Sequence, residues 1–132
     1  MNVLKGEITA IQSSKNLSSV TVDVNGIVFK VVVIETPESA SYLKLGTFVH
    51  LIFKETEVVV TNHQEFLISI PNRIKGEISD LEKGKVLTKL TVTTNLGKLT
   101  SILLSEVVEK IQFEVGMPVY AMVKASEIMI SA

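Results

Sequence analysis

Cysteine and tryptophan are absent from this chain of 132 residues, and aromatic side chains are scarce, with five Phe and two Tyr. Without cysteine the chain can form neither a disulfide framework nor a thiolate metal site. With few aromatic side chains, it also lacks the stacking platforms on which single-stranded nucleic acid is bound. The composition therefore gives no support to a disulfide-stapled domain or to a nucleic-acid-binding barrel.

An excess of charge of one sign is also lacking. The formal net charge is −1, the isoelectric point is near 6.1, and Arg73 is the single arginine. Such a balance leaves no broad basic surface for nucleic acid or an anionic membrane. Wholly apolar runs reach four or five residues, and residues 1–7 lack the charged-then-apolar layout of a signal peptide. We therefore expect a soluble, cytoplasmic protein with no nucleic-acid or membrane partner.

Apolar residues are abundant. They make up 46% of the chain against 20% charged residues, and the mean hydropathy is +0.40. A sequence of this composition can bury a core, which excludes intrinsic disorder. Its length fits one ordinary domain or two very small ones.

The chain contains two copies of one sequence unit. The motif Lys-Gly-Glu-Ile at residues 5–8 recurs at residues 75–78, and aligning 1–62 with 71–132 at this offset of 70 gives 14 identities in 62 positions without a gap. Unrelated sequences would share about four identities at average amino-acid usage. We therefore divide the chain into a first repeat (residues 1–62), a linker (63–70) and a second repeat (71–132).

Each repeat is predicted to be a small β barrel. In the first repeat, residues 20–24 alternate apolar and polar side chains, Asn25-Gly26 is typical of a type I′ turn, and residues 27–34 are the return strand. One short helix is expected in each repeat, at about residues 36–44 and 105–111. Five strands and a helix in a unit of this size are typical of a Greek-key or OB-like barrel. The predicted fold is therefore all-β, with two tandem five-stranded OB-like barrels.

The last two strands of each repeat are expected to pair with each other and close their own barrel, at residues 47–53 with 57–61 and at 118–124 with 127–131. The final strands are apolar on both faces, at residues 58–60 and 128–130. One face should therefore meet another barrel, which predicts packing between the repeats and between chains. The alternative is that these segments are strands in the centre of a sheet.

Residues suited to catalysis are few. His50 and His63 have no partner at metal-ligand spacing and no nucleophile arrangement around them, and the seven glycines form no phosphate-binding loop. Glu55 and Glu57 have no matching pair in the second repeat, where Ala125 replaces Glu55, and are expected to be solvated. We therefore predict that the chain is not an enzyme.

A cation and a hydroxyl lie two residues apart at a strand end in both repeats, as Lys54 with Thr56 and as Lys124 with Ser126. Side chains at this spacing share one face of an extended strand. Together with backbone N–H groups, such donors can hold a small tetrahedral oxyanion without a positive overall charge. The alternative for this weak signal is a pair of solvated strand ends.

Two stretches of the second repeat carry a family resemblance. Residues 72–78, Asn-Arg-Ile-Lys-Gly-Glu-Ile, and residues 115–129, which end in Lys-Ala-Ser-Glu-Ile-Met, resemble the N-terminal and C-terminal segments of the Mop, or molbindin, domain, also called the TOBE domain. The first repeat resembles it more loosely, through residues 2–6 and 46–58. Two such units in tandem are similar to a di-Mop molbindin.

The resemblance implies OB-like barrels of the Mop type and a small inorganic oxyanion, molybdate or tungstate, as the ligand. It implies no separate metal site, because the metal would be bound as the oxyanion. It also implies assembly of six Mop units, which for a tandem chain is a homotrimer with the ions at interfaces between units. A cytoplasmic role in molybdenum storage or homeostasis follows from the same resemblance.

The ligand-contacting positions of the family carry over unevenly. Against the family's Ser-Ala-Arg-Asn, the chain has Ser69 and Asn72, but Pro71 stands in the arginine position and Arg73, two residues later, is the candidate replacement. The predicted oxyanion-binding residues are Lys54, Thr56, Ser69, Asn72, Arg73, Lys124, Ala125, Ser126, Thr36 and Ser39.

The family's Thr-x-x-Ser pair is the weakest match. In register it falls on Leu104 and Val107 in the second repeat, whereas Thr36 and Ser39 have the spacing but lie two residues closer to Gly46 than the family places them. These departures support an alternative function, a degenerate Mop pair that acts as a structural or interaction module without binding an oxyanion.

Overall fold

The computed structural model describes residues 1–63 and 67–132, and strands account for most of them. Part of the predicted linker, residues 64–66, lies outside the described residues. In chain order the strands are β1 (Asn2–Ser14), β2 (Leu17–Val24), β3 (Ile27–Val33), β4 (Phe48–Phe53), β5 (Val59–Thr61), β6 (Asn72–Lys83), β7 (Leu87–Thr94), β8 (Gly97–Leu104), β9 (Pro118–Val123) and β10 (Met129–Ser131). One α-helix, α1 (Ser105–Ile111), and two 3₁₀ turns, Glu55–Glu57 and Ala125–Glu127, complete the described elements.

The strands form two antiparallel sheets, each of which takes its fifth strand from the other repeat. The first sheet has the order β10-β4-β1-β2-β3, and the second has the order β5-β9-β6-β7-β8. Met129 lies opposite Ile52, and Val59 lies opposite Met122. The all-β fold is therefore as predicted, but the prediction that the last two strands of each repeat pair with each other is wrong. Residues 58–61 and 128–131 leave their own repeat and close the barrel of its neighbour.

Burial of the crossing segments explains why the exchange is stable. Val58, Val60 and Ile128 lie in the hydrophobic core, whereas Val59 and Met129 face outward. The expected packing between the repeats is confirmed, as an exchange of their last strands. Both exchanged strands lie at sheet edges, so the alternative that they are central strands is wrong.

Close approach of two strands accounts for the glycine in the repeated Lys-Gly-Glu-Ile motif. A Cβ atom on Gly6 would lie 2.6 Å from the carbonyl oxygen of Asp23, and one on Gly76 would lie 2.5 Å from a methyl group of Val92. Any larger residue would push β1 away from β2, or β6 away from β7. The glycine of the motif therefore allows the first two strands of each repeat to pack closely in the barrel.

The two repeats differ most between their third and fourth strands. The helix predicted at residues 105–111 is present as α1, but the one predicted at 36–44 is wrong, because that segment is a series of turns. The Ser39 hydroxyl accepts a hydrogen bond from the Thr36 N–H at 2.9 Å and lies 3.2 Å from the Thr36 carbonyl oxygen, to which it donates. Such local bonds of serine compete with helix formation. No helix in the described part of the chain is long and apolar enough to cross a membrane.

Two asparagines related by the repeat join the sheets. The Asn72 carboxamide accepts from the Lys30 N–H at 2.7 Å and donates to the Lys30 carbonyl at 2.9 Å, and Asn2 makes the same pair of bonds to Thr100 at 2.8 Å each. Lys30 and Thr100 lie on β3 and β8, which are sheet edges. Each asparagine therefore satisfies one residue of an edge strand that belongs to the other repeat.

We expect Ile128→Ala to lower the free energy of unfolding by about 2–5 kcal/mol, because it leaves a cavity beneath the exchanged strand. The matched control is Met129→Ala on the same segment, whose side chain is 48% exposed and whose loss should cost less than about 1 kcal/mol. Urea unfolding of both variants measures the difference. Equal losses would show that the exchanged strand does not anchor the core.

We expect Asn72→Ala to lower the free energy of unfolding by about 1–3 kcal/mol, because it leaves the backbone N–H and carbonyl of Lys30 without hydrogen-bond partners. Asn95→Ala, which changes an exposed turn residue, is the control and should stay within about 0.5 kcal/mol of the parent protein. A variant at position 72 as stable as the control would rule out the structural role of the amide.

Candidate functional site

Strand pairing brings Asn72 next to the predicted lysine and hydroxyl of the second repeat. Asn72 lies opposite Val123 in the β6–β9 pair, and its amide donates to the Val123 carbonyl at 3.0 Å. Lys124 follows directly, and the 3₁₀ turn Ala125–Glu127 then packs against β3 of the other repeat. We call this region, formed by Asn72, residues 124–127 and β3, the second seam.

The first seam has the same construction. It is formed by Asn2, residues 54–57 and β8. Asn2 lies opposite Phe53 in the β1–β4 pair, and the turn Glu55–Glu57 packs against β8. Each seam thus joins a strand start, a strand end and an edge strand from the other repeat.

The lysine and hydroxyl of each seam lie in a turn. Lys54 and Lys124 have extended backbones, and their carbonyls accept from the N–H groups of Glu57 and Glu127 at 3.0 Å. The expectation that lysine and hydroxyl share one face of an extended strand is therefore wrong, because the chain turns between them. A 3₁₀ turn has three residues per turn, and its first N–H groups have no acceptor within the turn. Exposed Lys124 and Ser126 can thus act together with backbone donors of the same turn.

Two other predicted residues, Arg73 and Ser69, flank Asn72 along the chain. Arg73 follows Asn72 on β6, and its Nε donates to the carbonyl of Ile70 at 3.1 Å. Ser69 is exposed and precedes Ile70, which is buried. The bond between Arg73 and Ile70 ties the segment that leads into β6 to the start of that strand.

Thr36 and Ser39 lie in the turns after β3, where they bond to each other. Nearby, the Tyr42 hydroxyl donates to Glu35 at 2.6 Å. Burial, with the hydrogen bond and charge of Glu35, raises the pKa of Tyr42 to about 12. The phenol therefore remains a neutral donor at physiological pH, and it holds these turns in place.

Glu55 places a negative charge in the first seam. Its carboxylate lies 2.8 Å from the ammonium of Met1, and this hydrogen bond lowers the pKa of Glu55. Glu55 is therefore ionised at neutral pH beside Lys54. Within residues 1–63 and 67–132, no three His, Cys, Asp or Glu side chains come together as a metal site.

Lys30 and Thr100 are seam residues that sequence reasoning missed. They occupy equivalent positions in the two repeats, and the backbone of each is hydrogen-bonded to the asparagine of the other repeat. The offset of 70 relates them to each other. It gives no indication that they lie across a seam, because that depends on which sheet the last strand joins.

Comparisons with known proteins agree with this architecture. The TOBE domain model matches residues 68–130. The solved structure of ModG, described as a cytoplasmic molybdate-binding protein and crystallised with molybdate bound, has a TM-score of 0.90 and 26% identity, covering 99% of this chain and 95% of its own. MopII from Clostridium pasteurianum is 33% identical over 50% of this chain and all of its own length, with a TM-score of 0.48.

A curated relative is similar along nearly the whole chain. The molybdenum transport protein ModE of Herbaspirillum seropedicae is 28% identical over 134 residues, which is 98% of this chain. The chain spans about half the length of that relative, 49%. These relatives are named for binding or transport, in agreement with the prediction that the chain is not an enzyme. By the TOBE match the second repeat is a TOBE domain, and over its whole length the chain has the ModG-like fold of two tandem Mop-type units.

Proposed function

We propose that this protein binds molybdate or tungstate at seams between its Mop units and serves in cytoplasmic storage or homeostasis of the metal. The observation that carries the proposal is the meeting, at each seam, of a lysine, a hydroxyl and a turn in a fold similar to ModG over 99% of the chain. ModG is described as cytoplasmic and as binding molybdate.

The chemistry of the seams suits a tetrahedral dianion. Lysine ammonium groups supply charge, and Ser126 or Thr56 supplies a hydroxyl donor from the same turn. Charge-assisted hydrogen bonds of this kind are roughly twice as strong as neutral ones. A dianion loses its hydration shell on binding, and these donors would replace it. Ser69, Asn72 through its backbone, and Arg73 lie close enough along the chain to extend the second seam.

We expect Lys124→Ala to weaken molybdate binding by about ten- to hundredfold, because a charge-assisted hydrogen bond contributes about 1.5–3 kcal/mol. Lys15→Ala removes the same charge from the exposed β1–β2 turn and should leave the affinity within about twofold of the parent protein. Calorimetry or equilibrium dialysis with molybdate measures both. Equal weakening would contradict the assignment of Lys124, and no saturable uptake by the parent protein would refute the proposed function.

The degenerate Mop pair is the second candidate function. Pro71 occupies the position of the family arginine and has no N–H to donate, and Leu104 and Val107 occupy the positions of the Thr-x-x-Ser pair. Under this alternative the purified protein takes up neither molybdate nor tungstate. The dialysis experiment therefore distinguishes the two functions.

We further propose that three chains assemble, which gives six Mop units. An apolar strip crosses the outer face of the first sheet, where Val3, Ile52 and Met129 lie opposite one another on β1, β4 and β10. Val3 is 53% exposed and Met129 is 48% exposed. The equivalent position to Ile52 in the second repeat, Met122, is buried at 3%. Association of chains would cover the open strip.

We expect a solution mass of three 14.5-kDa chains, measured by light scattering or sedimentation. Val3→Asp should shift the mass towards that of one chain, because a charge in an apolar contact is costly to bury. Val86→Asp, at an exposed residue between β6 and β7, is the control and should leave the mass unchanged. A parent protein that sediments as a single chain would exclude the trimer.

A further inference from the structure

The two seams are built alike but carry different charge. At the second seam, Lys124 lies on the turn that packs against β3, and Lys30 is the β3 residue held by Asn72. At the first seam the equivalent edge residue is Thr100, and Glu55 stands where the second seam has Ala125. At equivalent positions the second seam thus has Lys30 where the first has the neutral Thr100. The first seam has the Glu55 carboxylate where the second has the Ala125 methyl group.

Lys30 is fixed at the second seam by its backbone. The Asn72 carboxamide binds both its N–H and its carbonyl, at 2.7 and 2.9 Å. The Lys30 ammonium is exposed and donates to the hydroxyl of Thr21 at 2.7 Å. Because this acceptor is neutral, the charge of Lys30 is not compensated there. In the described part of the chain, no carboxylate pairs with Lys30 or Lys124.

At the first seam a carboxylate on the turn engages the nearby cations, which are the Met1 ammonium and Lys89. Glu55 lies on the turn itself and is paired with the Met1 ammonium at 2.8 Å. The carboxylate stays ionised at neutral pH, as its lowered pKa shows. A dianion approaching Lys54 therefore competes with Glu55 for the nearby cations, and it finds no cation on β8 at Thr100.

We propose that the two seams bind oxyanion unequally: the second seam is the tighter site, and Lys30, contributed by the first repeat, is one of its binding residues. The inference rests on the proposed function. Its physical basis is that the attraction between a dianion and a second cation adds to that of the first, whereas a nearby carboxylate subtracts from it. The four-carbon stem of lysine lets the ammonium move from Thr21 to a bound anion without movement of β3.

Calorimetry of molybdate binding to the full chain tests the proposal with Lys30→Gln. This variant keeps the backbone bonds to Asn72 and removes the charge. We expect the tighter class of sites to weaken by about tenfold or more, the effect of losing one charge-assisted hydrogen bond, while the weaker class is unchanged. Lys15→Gln, which removes an exposed charge from the β1–β2 turn outside both seams, is the control and should change neither class by more than about twofold. Urea unfolding checks that both variants keep the parent stability.

Three other variants assign the classes to the seams. Lys124→Ala should weaken the tighter class, Lys54→Ala should weaken the other, and Glu55→Ala should tighten the class that Lys54→Ala weakens. Unequal classes that Lys30→Gln leaves unmoved would overturn the role of Lys30, and two equal classes in the parent protein would overturn the inequality. Absence of molybdate uptake by the parent protein would instead refute the proposed function, so the two failures are distinguishable.

Discussion

The exchange of the last strands is the constraint on which the rest of this molecule depends. Each sheet has four strands from one repeat and a fifth from the other, so neither repeat can complete its barrel with its own residues. Val58 and Ile128 cross between the repeats and lie in the core. A repeat of about 60 residues buries a smaller share of its surface than a larger domain does and is only marginally stable alone. Shared strands merge two marginal cores into one, which is how a short chain without disulfides gains stability.

Polar groups at the junction are satisfied by the same arrangement. Asn2 and Asn72 each bind both backbone groups of one edge residue, and no buried side-chain polar atom among residues 1–63 and 67–132 lacks a partner. A carboxamide matches the donor and acceptor of a peptide unit, so it can take the place of a neighbouring strand at one position. The asparagine of the Mop-like motif is therefore a structural element of the seam. This role explains its presence in both repeats independently of any ligand.

Much of the fold could be predicted because its signals are local. The alternation in β2, the Asn25-Gly26 turn and the helix α1 follow from neighbouring residues, and Asn25 and Gly26 both have the positive φ that a type I′ turn requires. The exchange could not be predicted in this way, since residues 58–60 and 128–130 have the same apolar pattern whichever sheet they join. The first repeat lacks the helix because Thr36 and Ser39 bond locally, a competition that position-by-position propensity does not capture. Lys124 and Ser126 were found from their spacing, whereas Lys30 could be found only from the pairing of distant strands.

The position of β10 determines which barrel the last residues of the sequence lie beside. Because this strand runs along β4, the residues that follow it lie beside the barrel built mainly by the first repeat. A fluorescent label or fusion partner attached after Ala132 would therefore report on the surroundings of the first barrel. An attachment in the β7–β8 hairpin loop, near Asn95, would be needed to observe the second.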